Sequence, residues 1–268
     1  MPPSNTCKVL NEIERNEKYT RLKAELLKEF ESDPELVTGK AYKQVLKGVL
    51  DVLAKFEEFE DRVKPNVESL IVIEDIATSG KCRYPWKVVK ALLLLVYSNL
   101  FDEVYYGNKK AGEENVLPFN SRSSEYTNSP EGSAEEPEFE RRPETEDDYK
   151  KVKLDSLVYI LEFNLPPFTL QRLCEITLNQ PYRTFKKLFN AYRKLFALRN
   201  IEYEPEKLPP FVSLKDFPKL ETVSTNIRNW ERRYLATFRP EWNEELLSDN
   251  SDDAESSDER RFKRPREQ

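Results

Sequence analysis

Residues 165–176 read LPPFTLQRLCEI, and this stretch marks the start of a helix. Pro166 and Pro167 end any preceding helix, because proline lacks an N–H group and holds the residue before it in extended angles. Thr169 is a suitable N-cap residue. The helix that follows is predicted from residues at the i, i+3, i+4, i+7 spacing of one helical face: Leu170, Leu173, Cys174 and Thr177.

The same spacing recurs along most of the chain and predicts an all-α fold. Residues 86–101 are apolar almost all round, as in a central helix that others surround. Residues 70–73, LIVI, would alone also suit a strand. Two architectures stay open, a helical bundle or a short stack of helical pairs. Besides the helix after Thr169, helices are predicted over 19–30, 41–63, 67–78, 86–101, 152–163, 185–199 and 222–239.

Several segments are too polar to pack in a core. Residues 107–149 hold 12 acidic and 5 basic side chains and keep no apolar period, which predicts a disordered insertion inside a helical core domain spanning 19–200. A flexible leader over 1–18, a Pro-rich linker over 201–221 and a disordered tail over 240–268 complete the predicted organisation. The satellite helix at 222–239 either docks on the core or is reserved for a partner.

The composition argues against an enzyme. The chain has no histidine, which removes His-dependent general-base catalysis and His-containing metal sites. Cys7, Cys82 and Cys174 are too far apart in sequence for a zinc motif or a disulfide framework. The glycines form no phosphate-binding loop. We therefore expect no catalytic residue, no metal and no cofactor. No apolar run approaches a membrane span, so a soluble protein is expected.

A basic strip follows the proline turn. Residues 165–200 contain a single acidic residue, Glu175, and aromatic residues alternate with basic ones. Nucleic-acid-binding proteins share this pattern, but the aromatics fall on the apolar stripe and should be buried. Three interpretations of the strip stay open. It is an ordinary solvent-facing helix face, a contact for an acidic protein or for the acidic insertion, or a nucleic-acid site. Its basic residues are Arg172, Arg183, Lys186, Lys187, Arg193, Lys194 and Arg199.

Two segments resemble the protein phosphatase 4 regulatory subunit 2 family. PPFTLQRLCEIT at 166–177 is similar to that family's PFT-aliphatic-QRLCEL segment, and EDIATSGKCRYPW at 74–86 is similar to its passage from a short helix through a turn to Trp. The resemblance covers roughly residues 40–106 and 154–196. It implies a non-catalytic regulatory subunit of a serine/threonine phosphatase complex. The alternatives are a nucleic-acid-binding helical module using residues 172–199 or a generic helical adaptor.

The resemblance implies partners and contact residues. The partners would be the phosphatase 4 catalytic subunit and regulatory subunit 3, with nuclear substrates such as those of the DNA damage response. Phe168, Gln171 and Arg172 would contact another subunit, unless the motif only joins two helices. Other candidate contacts are the basic residues Arg183, Lys186 and Lys187 and, on the satellite helix, Trp230.

The tail carries three further candidate features. Phe262-Lys-Arg-Pro265 resembles ligands of the EVH1-like domain of the regulatory subunit 3 family. The surrounding basic cluster favours nuclear import, and we expect the protein in the nucleus and the cytoplasm. This import candidate consists of Arg260, Arg261, Lys263, Arg264 and Arg266. Candidate sites for an acidophilic kinase are Ser251, Ser256 and Ser257.

Overall fold

The computed structural model describes residues 17–32, 39–114, 145–182, 184–197 and 212–239. These ranges contain helices and loops and no strand, so the all-α fold predicted from the sequence is confirmed. In chain order the helices are α1 (Glu17–Ser32), α2 (Lys40–Leu53), α3 (Val67–Ser79), α4 (Trp86–Glu114), α5 (Glu146–Leu161), α6 (Leu170–Asn179), α7 (Phe185–Ala197) and α8 (Lys219–Trp230).

Side chains cap the starts of α2 and α3. Glu29 on α1 accepts hydrogen bonds from the backbone N–H groups of Ala41 and Tyr42 at 2.8 and 3.0 Å, so one helix caps the next. The Asn66 side chain caps α3 by accepting from the Ser69 N–H at 2.9 Å. Each contact satisfies backbone donors that have no partner inside the helix.

Helix α4 forms the centre of the body, as its sequence predicted. Its first four turns are buried on nearly every side. Tyr97 packs edge-on against Tyr192 of α7 with ring centroids 4.7 Å apart. The Tyr97 hydroxyl donates to the Leu173 carbonyl of α6 at 3.0 Å. Helices from both halves of the sequence therefore share one core.

The polar side of α4 is covered rather than solvated. Lys90 is buried where it pairs with Glu231 near the C-terminal end of the described chain. Ser98 is buried because residues 54–66 form a loop that crosses this face. Ser98 donates to the Phe59 carbonyl at 2.9 Å, and Asn99 donates to the Val63 carbonyl at 2.8 Å. The prediction that one helix continues to residue 63 is wrong, since α2 ends at Leu53.

The acidic insertion is shorter than predicted. Helix α4 continues to Glu114, and α5 begins at Glu146 with a capping box formed by Thr145 and Asp148. Tyr149 is buried and stacks on Tyr105 with centroids 3.8 Å apart. Both ends of 107–149 are therefore helical, since these aromatic side chains anchor them in the core. The rest of the insertion, the leader up to residue 16 and the tail from 240 lie outside the described residues.

The satellite helix docks on the core. It continues beyond α8 through a π-helical turn, Glu231–Leu235, and a last turn, Ala236–Phe238. Trp230 is buried, and Glu231 pairs with Lys90 of α4. Its approach is also packed, because Val212 and Phe217 are buried and α8 already begins at Lys219. The predicted linker therefore ends inside the body.

We expect Gly80→Ala to destabilise the fold by about 1–2 kcal/mol. Gly80 ends α3 with φ of 68°, a left-handed conformation that L-residues with a Cβ avoid. A Cβ there would also lie 3.0 Å from Oε1 of Gln171. Chemical denaturation measures the change.

The matched control is Gly107→Ala. Gly107 lies within α4, and a Cβ at this position meets nothing within 4 Å. This substitution should raise stability by about 0.5–1 kcal/mol, because alanine loses less backbone entropy than glycine in a helix. Equal changes in the free energy of unfolding for the two substitutions would contradict the left-handed conformation assigned to Gly80.

Candidate protein-binding site

Residues 166–169, called here the PPFT turn, present one exposed aromatic side chain on a buried base. Pro166, Pro167 and Thr169 are buried, whereas Phe168 is 61% exposed. Leu165, just before the turn, is 47% exposed. Phe168 is thus a large apolar side chain in contact with solvent, on a segment whose other residues are fixed by packing.

Two helices, α4 and α7, hold the PPFT turn and the residues just before it in place. The Thr169 hydroxyl donates to the Leu195 carbonyl near the end of α7 at 3.1 Å. The indole N–H of Trp86, at the start of α4, donates to the Phe163 carbonyl at 2.9 Å. The Phe163 ring packs on Phe196 with centroids 5.5 Å apart. Thr169 occupies the N-cap position of α6, but its side chain makes no capping bond, because its hydroxyl serves α7 instead.

Gln171 joins the turn to α3. Its side-chain amide donates to the Ala77 carbonyl at 3.0 Å, and its Oε1 faces Gly80. Arg172 is exposed and pairs with Glu175 at 2.7 Å on the same helix. Of the three motif residues proposed as contacts, Phe168 has its side chain free for a partner, Arg172 is accessible, and Gln171 is engaged within the chain.

The basic strip forms the outer face of α7. Lys186, Lys187 and Lys194 are exposed, and the guanidinium of Arg193 lies 5.7 Å from the centroid of the Phe189 ring. The aromatic residues of this helix are buried: Phe185, Phe189, Tyr192 and Phe196. They are unavailable for stacking on bases, so a nucleic acid could bind this face only through the positive charges of its basic side chains. Arg183 and Arg199 lie outside the described residues.

Trp230 is a core residue and not an exposed contact. Its side chain is 3% exposed and packs against Phe56 and Phe59 with centroids 5.2 and 5.0 Å away. Its indole N–H donates to the Glu57 carbonyl at 3.0 Å. The prediction that Trp230 binds a partner is therefore wrong, because the loop over 54–66 occupies its face.

The candidate residues of the C-terminal tail lie beyond the part of the chain that the structure describes. Phe262 and Pro265, the import cluster from Arg260 to Arg266, and the three candidate phosphorylation sites Ser251, Ser256 and Ser257 all lie outside the described residues. They stay predictions from the sequence.

A buried lysine and a buried tyrosine share one carboxylate inside the body. The ammonium of Lys153 lies 2.8 Å from both carboxylate oxygens of Asp102, which also accepts from Tyr149. Burial lowers the pKa of Lys153 and raises that of Tyr149. Burial likewise raises the pKa of the Cys82 thiol to about 12, which makes it a poor nucleophile. These contacts tie α4 to α5 and suit a structural role.

Within the described ranges, no cluster of three His, Cys, Asp or Glu side chains has the arrangement of a metal site. In the same ranges, no helix combines the length and apolar character needed to cross a bilayer.

Comparison with known proteins identifies no relative: no family model, curated protein or solved structure matches this chain.

Proposed function

We propose that this chain is a non-catalytic regulatory subunit of the protein phosphatase 4 complex and that it binds the catalytic subunit through the PPFT turn. Phosphoester hydrolysis and its metal ions would belong to the catalytic subunit. This chain would act by position, holding the catalytic subunit and directing it to substrates, including nuclear substrates of the DNA damage response.

One observation carries the proposal. The two segments that resemble the regulatory subunit 2 family, 74–86 and 166–177, are far apart in sequence but adjoin in the fold. Gln171 in the second segment donates to Ala77 in the first, and Trp86 at the end of the first donates to Phe163 just before the second. Segments that resemble one family and meet beside an exposed aromatic residue are consistent with one binding surface.

The exposed aromatic residue supports binding on physical grounds. Aromatic side chains dominate protein–protein hot spots, because they bury a large apolar area at a low entropy cost. Phe168 is already held by a buried turn, so little further order is lost on binding. A second contact would come from Phe262 and Pro265, binding regulatory subunit 3 as a short peptide.

Affinity capture of the tagged full chain from cells, read by quantitative mass spectrometry, tests the proposal. We expect the phosphatase 4 catalytic subunit and regulatory subunit 3 at levels comparable to the tagged chain. A tagged chain that recovers other proteins at stoichiometric levels but no phosphatase subunit would support the generic adaptor instead.

A further inference from the structure

Three lysines on one face of α7 have no acidic partner in the described chain. Lys186, Lys187 and Lys194 point away from the buried aromatic stripe and are exposed. None of them forms an ion pair with a described residue, whereas Arg172 on α6 is paired with Glu175. We call these three lysines the α7 basic face. They span about 12 Å at the helical rise of about 1.5 Å per residue.

The chain leaves the described body close to α7. Arg239, the last described residue, lies 2.9 Å from Glu162 and has its guanidinium 5.2 Å from the centroid of the Tyr159 ring. Tyr159 in turn stacks on Phe196 of α7 with centroids 6.5 Å apart. Arg239 also lies 3.8 Å from Asp155. Burial raises the pKa of Asp155, and the nearby charges of Arg239 and of Arg193 on α7 offset part of that rise. The following residues therefore begin close to α7, the helix that carries the α7 basic face.

The segment that follows has the complementary charge. Residues 241–259, called here the acidic tail, contain nine Asp and Glu residues and no Lys or Arg. A segment of this length can extend over about 60 Å, much more than the face requires. The other acidic segment outside the structure, 115–144, has seven acidic and three basic residues and is the weaker complement.

We infer that the acidic tail lies across the α7 basic face in the full chain. An intramolecular ligand is present at a high effective concentration, so even weak ion pairs keep the face occupied. The tail then competes with any polyanion for α7, which reduces non-specific binding to nucleic acid. Phosphate on Ser251, Ser256 or Ser257 would add negative charge and strengthen the contact. This inference does not depend on the phosphatase proposal.

Lysine acylation of the full chain, quantified site by site by mass spectrometry, tests the inference. The comparison variant is a full chain in which the nine acidic residues of 241–259 are changed to Asn and Gln. Lys40, Lys43 and Lys47, which are exposed on the outer face of α2, are the matched control within the same molecule.

At about 0.1 M salt we expect the α7 lysines to react several-fold more slowly in the wild-type chain than in the neutralised variant. The difference should disappear at about 1 M salt, where the Debye length falls from about 10 Å to about 3 Å. The α2 lysines should react equally in both chains. Equal reactivity of the α7 lysines in both chains would overturn the inference. Slow reaction of the α7 lysines that persists in the neutralised variant would also overturn it, since another segment or partner would then cover the face. An equal change in the reactivity of the α2 lysines would overturn it as well, because the effect would then not be specific to α7.

Discussion

Trp230→Ala should lower the free energy of unfolding by about 3–5 kcal/mol, the range for removing a large buried aromatic side chain. The ring is 3% exposed and packs against both Phe56 and Phe59, so the truncation leaves a cavity. It also removes the hydrogen bond from the indole N–H to the Glu57 carbonyl. Urea denaturation of the full chain measures the loss.

Two further variants serve as controls for the size of this effect. Trp230→Phe should cost less, because phenylalanine keeps much of the ring contact and forfeits only the hydrogen bond and part of the volume. Thr225→Ala, at an exposed position on the same helix, should stay within about 0.5 kcal/mol of the wild type. If Trp230→Ala were as mild as Thr225→Ala, α8 would not belong to the core, and the interpretation as a partner-binding helix would return.

Helical periodicity was sufficient to find the elements that pack along one face. The stripe predicted for 19–30 is the buried face of α1, Tyr19, Leu22, Leu26 and Phe30. Residues 185–196 behave similarly in α7. Such faces can be read from the sequence because the burial of apolar side chains is the main force that drives folding and because the spacing of these side chains is a local property.

Contacts between distant segments cannot be predicted from helical periodicity. Lys90 and Ser98 are among the few polar residues of 86–101 in α4, yet both are buried. Their partners, Glu231 and the carbonyl of Phe59, come from the C-terminal helix and from a loop. A polar side chain can be buried when a group from a distant segment satisfies its hydrogen bonds. The local sequence pattern contains no information about that distant group.

Only part of the geometry of the candidate site can be inferred from the sequence. The motif predicts that Phe168 contacts a partner; the structure shows that its side chain is exposed, and the contact itself stays a prediction. Gln171 was named as a contact, but its bond to Ala77 depends on the packing of α6 against α3. Trp230 could not be assigned from the sequence, because the same amphipathic spacing describes a helix docked on its own core and a helix docked on a partner.

Phe168→Ala should weaken binding of the phosphatase 4 catalytic subunit by about 2 kcal/mol or more, about 30-fold or more in Kd. The reason is the loss of an aromatic side chain that is 61% exposed in the free chain and would be buried in the complex. The stability of the free chain should change little, since the side chain has few contacts to lose.

Leu214→Ala is the matched control. Leu214 is also a large apolar residue, is 51% exposed, and lies in the loop before α8, away from the PPFT turn in sequence. Its truncation should leave Kd unchanged within about twofold, or about 0.4 kcal/mol.

The most direct measurement is calorimetric titration of the purified full chain, wild type and both variants, with purified phosphatase 4 catalytic subunit. We predict a saturable complex with the wild type and with Leu214→Ala, and at least about 30-fold weaker binding with Phe168→Ala. No heat of binding with the folded wild-type chain, or equal affinity for Phe168→Ala, would contradict it.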